Sequence, residues 1–481
     1  MRNQMKRART NGAAAIVLAV GVLSFVACDR VKNELLAPQN PGLVDQGAVG
    51  SAAAAAALKV GAIGKIKLVS SDRQTNAGAF AWSSLWQTVG LFTDEFSNSD
   101  FQNSQNDVDA RSMSPDNTAS NYSRITQARG FVRDAIAAEK QYEPQKTADI
   151  AELYLGMGFI EMSLGEDFCN GIPLGSNSVG VVDYSKPEFR PLTNAEVYAV
   201  ALIHVDSALT TLGSASDANS TAIRQAALIT KARILIDQNR SQAGTAAALV
   251  PVSAVPSTYQ YLWTTSTALN TDDNGTWQFA NSVGRMTVGD SSITYQQKKF
   301  ATLNAVPFAS AGDPRVPVLV GSTQGLSAED GLTPFFLQQI WKNRDDPFPM
   351  VSGIDARLIE AEARLNASDI PGMMAILNAL RASPPTIGTY KPAAMAALPD
   401  PANIDDATTL FFREKAFWTF GRGQRLGDLR RLVRQYGRTQ DKVFPSGQHY
   451  KGGNYGSDVN LPVPDAERVN PQFSGCIDRN A

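Results

Sequence analysis

The chain has 481 residues, with 44 Lys and Arg against 46 Asp and Glu, 2 His and 3 Cys. A formal charge of −2 leaves no basic footprint for nucleic acid, and 43% hydrophobic content excludes a disordered chain. His204 and His449 are the whole histidine complement, so a histidine-rich metal site is out of reach and the open classes are a binding protein, a scaffold or a carboxylate-dependent enzyme.

Arg2, Lys6, Arg7 and Arg9 precede an apolar run from Ala13 to Ala27, the pattern of an export signal. The run is shorter than the ~20 residues a helix needs to cross a bilayer. It ends Leu23-Ser24-Phe25-Val26-Ala27-Cys28, which resembles a bacterial lipobox; residues 1–27 are read as a lipoprotein signal and Cys28 as the lipidated residue. Loss of the signal leaves 40 basic against 46 acidic residues, a balance of −6, so attachment to a membrane would rest on the lipid rather than on charge. Residues 28–47, with Pro38 and Pro41, read as a flexible tether.

Residues 48–481 read as one body. Ser97 to Asn121 is polar and nearly free of aliphatics, with Phe101 its one aromatic, and is expected to be a long irregular loop. Ser114 to Gln141 and Thr147 to Leu164 are predicted to form a helical pair. Cys169 and Cys476 remain once Cys28 is acylated, an even pair in an exported chain; they are candidates for a disulfide that pins the C-terminal tail, the alternative being two free thiols. Thr193-Asn194-Ala195-Glu196 is a capping box that opens a helix with Val197, Ala201, Leu202, Val205 and Leu209 on one stripe. Gly213 ends it, and Ser220 is expected to cap a second helix through Ile223, Ala227 and Ile234.

Pro251 to Pro349 is rich in Thr, Asn, Asp, Gly and Pro with short apolar runs, and reads as loops and short strands inserted between helical hairpins. Another hairpin follows: Ile354, Leu358, Ala361 and Leu365 line one helix, then Ser368-Asp369 with Pro371 caps the partner carrying Met373, Leu377 and Leu380. A last helix from Asp405 to Phe420 breaks at Gly421-Arg422-Gly423 and resumes to Tyr436. The fold class is therefore mostly α, with tetratricopeptide-like hairpins and inserted loops.

Nucleophile motifs are missing: there is no HExxH, GxSxG or CxxC. Gly421 to Gly427 has the wrong spacing for a dinucleotide loop and follows a helix, and Gly61-Ala62-Ile63-Gly64-Lys65 lacks the upstream glycine of a phosphate loop. The acid pairs Asp94-Glu95, Glu166-Asp167 and Asp345-Asp346 would each need a distant partner to act on a sugar bond. No catalytic residue, metal or cofactor is assigned. Aromatics in the loops are a different signal, because their faces stack on sugars while their polar edges stay wet. Phe101, Trp277 and Tyr295 are the ligand-binding candidates; Trp418, on a helix with Phe412 and Ala416, is expected in the core.

Arg413-Glu414-Lys415 leading to Gly423-Gln424-Arg425-Leu426-Gly427-Asp428-Leu429-Arg430-Arg431 resembles a helix motif of the SusD/RagB family, with Trp418 and Arg422 standing where that motif has glutamates. Gly312-Asp313-Pro314-Arg315, Ala361-Glu362-Ala363, Asn378-Ala379-Leu380-Arg381 and Leu461-Pro462-Val463-Pro464 follow in the family's order. The resemblance implies a mostly helical fold of about four tetratricopeptide-like hairpins, and a surface lipoprotein of the outer membrane that captures an oligosaccharide or peptide and passes it to a SusC-like TonB-dependent transporter, without catalysis. The alternative is a helical-repeat scaffold of the cell envelope that holds no small ligand.

Overall fold

Two local caps set the helical hairpin of residues 194–238, the first of them as the sequence predicts. Thr193 accepts from the Glu196 amide while the Glu196 carboxylate takes the Thr193 amide at 2.8 Å, which satisfies donors that a helix start would otherwise leave orphaned. The cap of the partner helix differs from expectation: Asp217, not Ser220, is the N-cap and accepts from the Ser220 amide at 3.0 Å. A carboxylate three residues upstream reaches that amide, and Ser220 is left inside the first turn.

The protein is described from a computed structural model covering residues 50–71, 84–101, 103–175, 183–239, 252–268 and 272–481. Cys28 and the signal and tether segments lie outside the described residues. Ala52–Ala481 forms one unit. In chain order it contains α1 (Ala52–Ser70), α2 (Leu85–Phe92), β1 (Phe96–Asn98), α3 (Asn103–Asp109), α4 (Ala119–Tyr142), α5 (Thr147–Asp167), β2 (Ile172–Pro173), β3 (Pro191–Leu192), α6 (Asn194–Leu212) and α7 (Ala218–Gln238). The inserted region holds β4 (Gln260–Trp263), β5 (Met286–Val288), β6 (Ser292–Tyr295), β7 (Lys298–Ala301), β8 (Val318–Val320), β9 (Phe336–Gln338) and β10 (Phe348–Ser352). Then come α8 (Gly353–Asn366), α9 (Ile370–Ala382), α10 (Ile404–Trp418) and α11 (Arg425–Arg434).

The strands form two-stranded antiparallel ribbons, β1 with β5, β2 with β3, β4 with β10, β6 with β7 and β8 with β9. Short strands in a helical body match the reading of residues 251–349. Residues 97–121 differ from the expected irregular loop. They hold β1, α3 and the 3-10 turn Pro115–Thr118, which Ser114 opens through a capping box with Asn117. Helix α1 also went unread, since its alanine run carries no apolar stripe; its contacts with α4 and α5 bury Ala62, Ile66 and Val69.

Close helix packing has a sequence cause. A Cβ on Gly158 of α5 would stand 2.5 Å from Val205 Cγ2 of α6, and one on Gly165 would stand 2.7 Å from the Tyr198 ring. Both glycines are what let α5 and α6 lie against each other. Trp341 and Trp418 are fully buried with Phe308 and Phe420 in one core that joins the helices to the inserted region.

Ion pairs thread this core. Arg422 meets Asp355 at 2.6 Å, Arg425 holds Asp94 through 2.7 and 2.8 Å bonds, Lys415 meets Asp428 at 2.6 Å, and Arg431 pairs with Glu362. Arg430 instead donates to the carbonyls of Gly165, Glu166 and Phe168 at the end of α5, where the helix leaves acceptors unfilled. Cys169 and Cys476 are joined by a disulfide, with Cα atoms 5.9 Å apart.

Candidate functional site

A turn after β1 carries Phe101, whose side chain is exposed although large and apolar, at 66%. Everything before it is fixed. The Asn98 amide donates to Asp109 Oδ2 at 2.8 Å, and Asn98 Nδ2 donates to Asn106 Oδ1 at 2.8 Å. The Asp100 amide returns to Asn98 Oδ1 at 2.9 Å, a short polar turn of the kind asparagine favours. The Ser99 amide and hydroxyl donate to the carbonyls of Arg285 and Gly284 at 3.0 and 2.8 Å. An aromatic held on so restrained a turn loses little further entropy when it meets a ligand.

A second turn lies beside it. The Asp330 amide donates to the Ser99 carbonyl at 3.0 Å, and the Asp330 carboxylate accepts from the amides of Leu332 and Thr333 at 3.0 and 2.9 Å and from the Thr333 hydroxyl at 2.6 Å. Leu332 is thereby presented to solvent two residues from the tie to Ser99, as Phe101 is on the other side. Arg285 bridges the pair more loosely, 3.6 Å from Asp100 and 3.7 Å from Glu329.

Tyr295 ends β6 in a tight hairpin whose corner residues Gln296 and Gln297 both have positive φ. Its ring packs edge-on against Tyr450 at 5.6 Å. The Tyr450 hydroxyl donates to the Asn98 carbonyl and lies 3.0 Å from Asp109 Oδ2, so Tyr295 rests on the same support as the Phe101 turn. Burial pushes the Tyr450 phenol well above its ordinary value, with Asp109 acting the same way, and burial with Asp330 raises Tyr295. Both phenols remain neutral donors across the physiological range.

The structure brings Phe101 and Tyr295 onto one platform and leaves Trp277 apart. Trp277 begins a π-helical segment, half-buried, with its amide on Asn274 Oδ1 at 3.0 Å, and no interaction links its ring to Phe101 or Tyr295 among the described residues. At least one member of each carboxylate pair has a structural duty. Asp94 is held by Arg425, Glu95 accepts from the Gly421 amide, Glu166 meets Arg233 at 2.6 Å, and Asp346 accepts from the Asn343 amide at 2.8 Å. Among the described residues no cluster of three or more metal-ligating side chains occurs. Leu332 and Tyr450 were missed by sequence reading; the Asp330-Gly331 turn and the glycines at 447, 452 and 453 are the signals that mark their loops.

No protein-family model matches the chain, and no curated protein matches it. Solved structures do. A SusD-like carbohydrate-binding protein from Bacteroides fragilis NCTC 9343 is 13% identical with a TM-score of 0.60, covering 88% of this chain and 99% of that one. A laminarin-binding SusD-like protein is 16% identical with a TM-score of 0.57, covering 89% and 99%. NanU of B. fragilis is 12% identical with a TM-score of 0.54, covering 90% and 97%. Shared architecture over about nine-tenths of both chains means that this chain has the SusD-like fold.

Proposed function

We propose that the protein is a member of the SusD/RagB family, a lipid-anchored capture protein of the outer membrane that binds an oligomeric nutrient, a glycan in the first instance, and hands it to a SusC-like TonB-dependent transporter. The observation that carries this reading is Phe101, an exposed aromatic on a turn with its backbone fixed, on a fold whose solved examples include a laminarin-binding and a carbohydrate-binding protein. Tyr295, through Tyr450, and the Leu332 turn are tied to the same support as the Phe101 turn, and in this reading they give a sugar ring stacked on Phe101 further apolar surface and a phenol edge. Binding rather than turnover is supported by Asp94 and Glu166, whose carboxylates are engaged by buried arginines in the core. Cys28 supplies the anchor in this reading.

The test is titration of the purified chain with laminarin and a panel of soluble glycans and peptides, together with recovery of a large barrel from solubilised envelopes. Phe101→Ala is expected to weaken binding of the preferred glycan at least tenfold, the scale of an aromatic anchor, with an unchanged melting temperature because the side chain is solvent-exposed. Absence of saturable binding across the panel, with no barrel recovered, would overturn the reading.

A further inference from the structure

The loop after Tyr450 makes a contact that the capture face does not explain by itself. Lys451 lies with its side chain buried, 7% exposed, and its ammonium 2.5 Å from the Asp100 carbonyl and 2.7 Å from Asp330 Oδ2. Burying a lysine is costly unless its charge is paired and its donors are filled. Here one donor goes to the residue directly before Phe101 and another to the carboxylate that folds the turn bearing Leu332. Burial works against ionisation of Asp330, but Lys451, Thr333 and two backbone amides outweigh it and hold the carboxyl below its ordinary value. Gly452 and Gly453 both have positive φ, which turns the chain sharply after Lys451.

We propose that Lys451 is a positioning residue for ligand capture: its ammonium clamps the Phe101 turn to the Leu332 turn and so sets the spacing of the two exposed apolar side chains. The clamp rests on the capture reading above for its purpose, but its geometry stands without it. The Asp330 amide on Ser99 also joins the two turns, and Arg285 reaches Asp100 and Glu329 at longer range; Lys451 adds a short charged bridge from the Asp100 carbonyl to Asp330 Oδ2. An arginine at this position can bridge a carbonyl and a carboxylate, whereas a methionine fills the stem's space and carries no donor.

Hydrogen exchange on the ligand-free full chain tests the clamp directly. In Lys451→Met the amides of Asp100, Asp330, Leu332 and Thr333 are expected to exchange at least tenfold faster than in the parent, with α5 and α6 unchanged, and Lys451→Arg is expected to restore most of the protection. Parental rates in Lys451→Met, or equal acceleration throughout the chain, would overturn the proposal. Laminarin titration forms the second arm, with Lys451→Met expected to lose at least tenfold in affinity and Lys451→Arg to recover it. If the parent binds no glycan, the capture reading fails while the exchange rates still judge the clamp; if the parent and Lys451→Met bind equally, the positioning role fails.

Discussion

Individual side chains in this protein divide between presentation and burial. Phe101 and Tyr295 stand out in the sequence because an aromatic in a polar or turn-rich segment lacks the periodic neighbours of a core residue, whereas Lys451 does not. A lysine in a glycine-rich loop reads as solvated, and its partners at 100 and 330 are distant in sequence. Glu95 is a second residue that the sequence cannot reveal. It is fully buried, its Oε1 accepts from the Gly421 amide at 2.9 Å, and its Oε2 has no hydrogen-bond partner among the described residues. Burial, with Asp94 and Asp428 adding to it, pushes the carboxyl up to about 8 from an ordinary 4.5. The folded protein then keeps a proton that the unfolded chain releases, so this group's contribution is fully present below pH 4.5 and lost as pH rises through 8. Asp167, also raised to about 8 by burial, acts with the same sign. Each such group adds a slope of at most ~1.4 kcal/mol per pH unit. Glu95→Gln is expected to flatten the fall in melting temperature between pH 6 and 9 without abolishing it, as thermal melts across that range will show; an unaltered slope would mean that Glu95 is ionised in the folded state.

Among the elements, α11 does the most to join the parts. Its arginines and those just before it reach Asp94 after α2, Glu362 and Asp355 on α8, and the carbonyl end of α5. The sequence showed the helix and its break at Gly421 to Gly423, and the alternation of charge and Leu along it, but a run such as Arg430-Arg431 ordinarily signals a solvated face. Burial inverts that meaning, since each cation is matched by an acid or carbonyl contributed from elsewhere in the chain. Buried pairs add little net stability over an apolar packing, yet losing one partner strands the other. Asp94→Ala is therefore expected to lower unfolding free energy by about 3–5 kcal/mol, measured by urea denaturation. Because Arg425 holds Asp94 in a two-bond fork, Asp94→Asn should also lose most of that energy, and a loss under about 1 kcal/mol would show that the pair is dispensable.

For the whole molecule, the hairpin architecture was readable from caps and periodic stripes, and its order in the chain resembled a known family even where no family model matches. What could not be read was how the inserted region folds back onto the helices, because its ribbons pair segments such as β1 and β5 that no local pattern connects. Among the described residues the disulfide is the one covalent cross-link: it ties the end of α5 to the tail, where the Ile477 amide also donates to the Asn170 carbonyl at 2.8 Å and Asn170 Nδ2 bonds the Asp478 carboxylate. Cys169→Ser with Cys476→Ser is expected to cost about 2–5 kcal/mol of stability, read as a lower denaturation midpoint, with glycan binding retained at low temperature; equal midpoints with and without reductant would refute this. The platform under Phe101 has a consequence for how the protein matures. Its parts come from residues near 98, 285, 330 and 450, so the ties between these parts must close long loops, and such contacts form late because their entropic cost precedes their reward. A chain emerging from its N-terminus would complete its helices early and acquire this platform only when the last segment arrives, so under the proposed capture function an incompletely folded molecule offers no competing binding surface for the ligand.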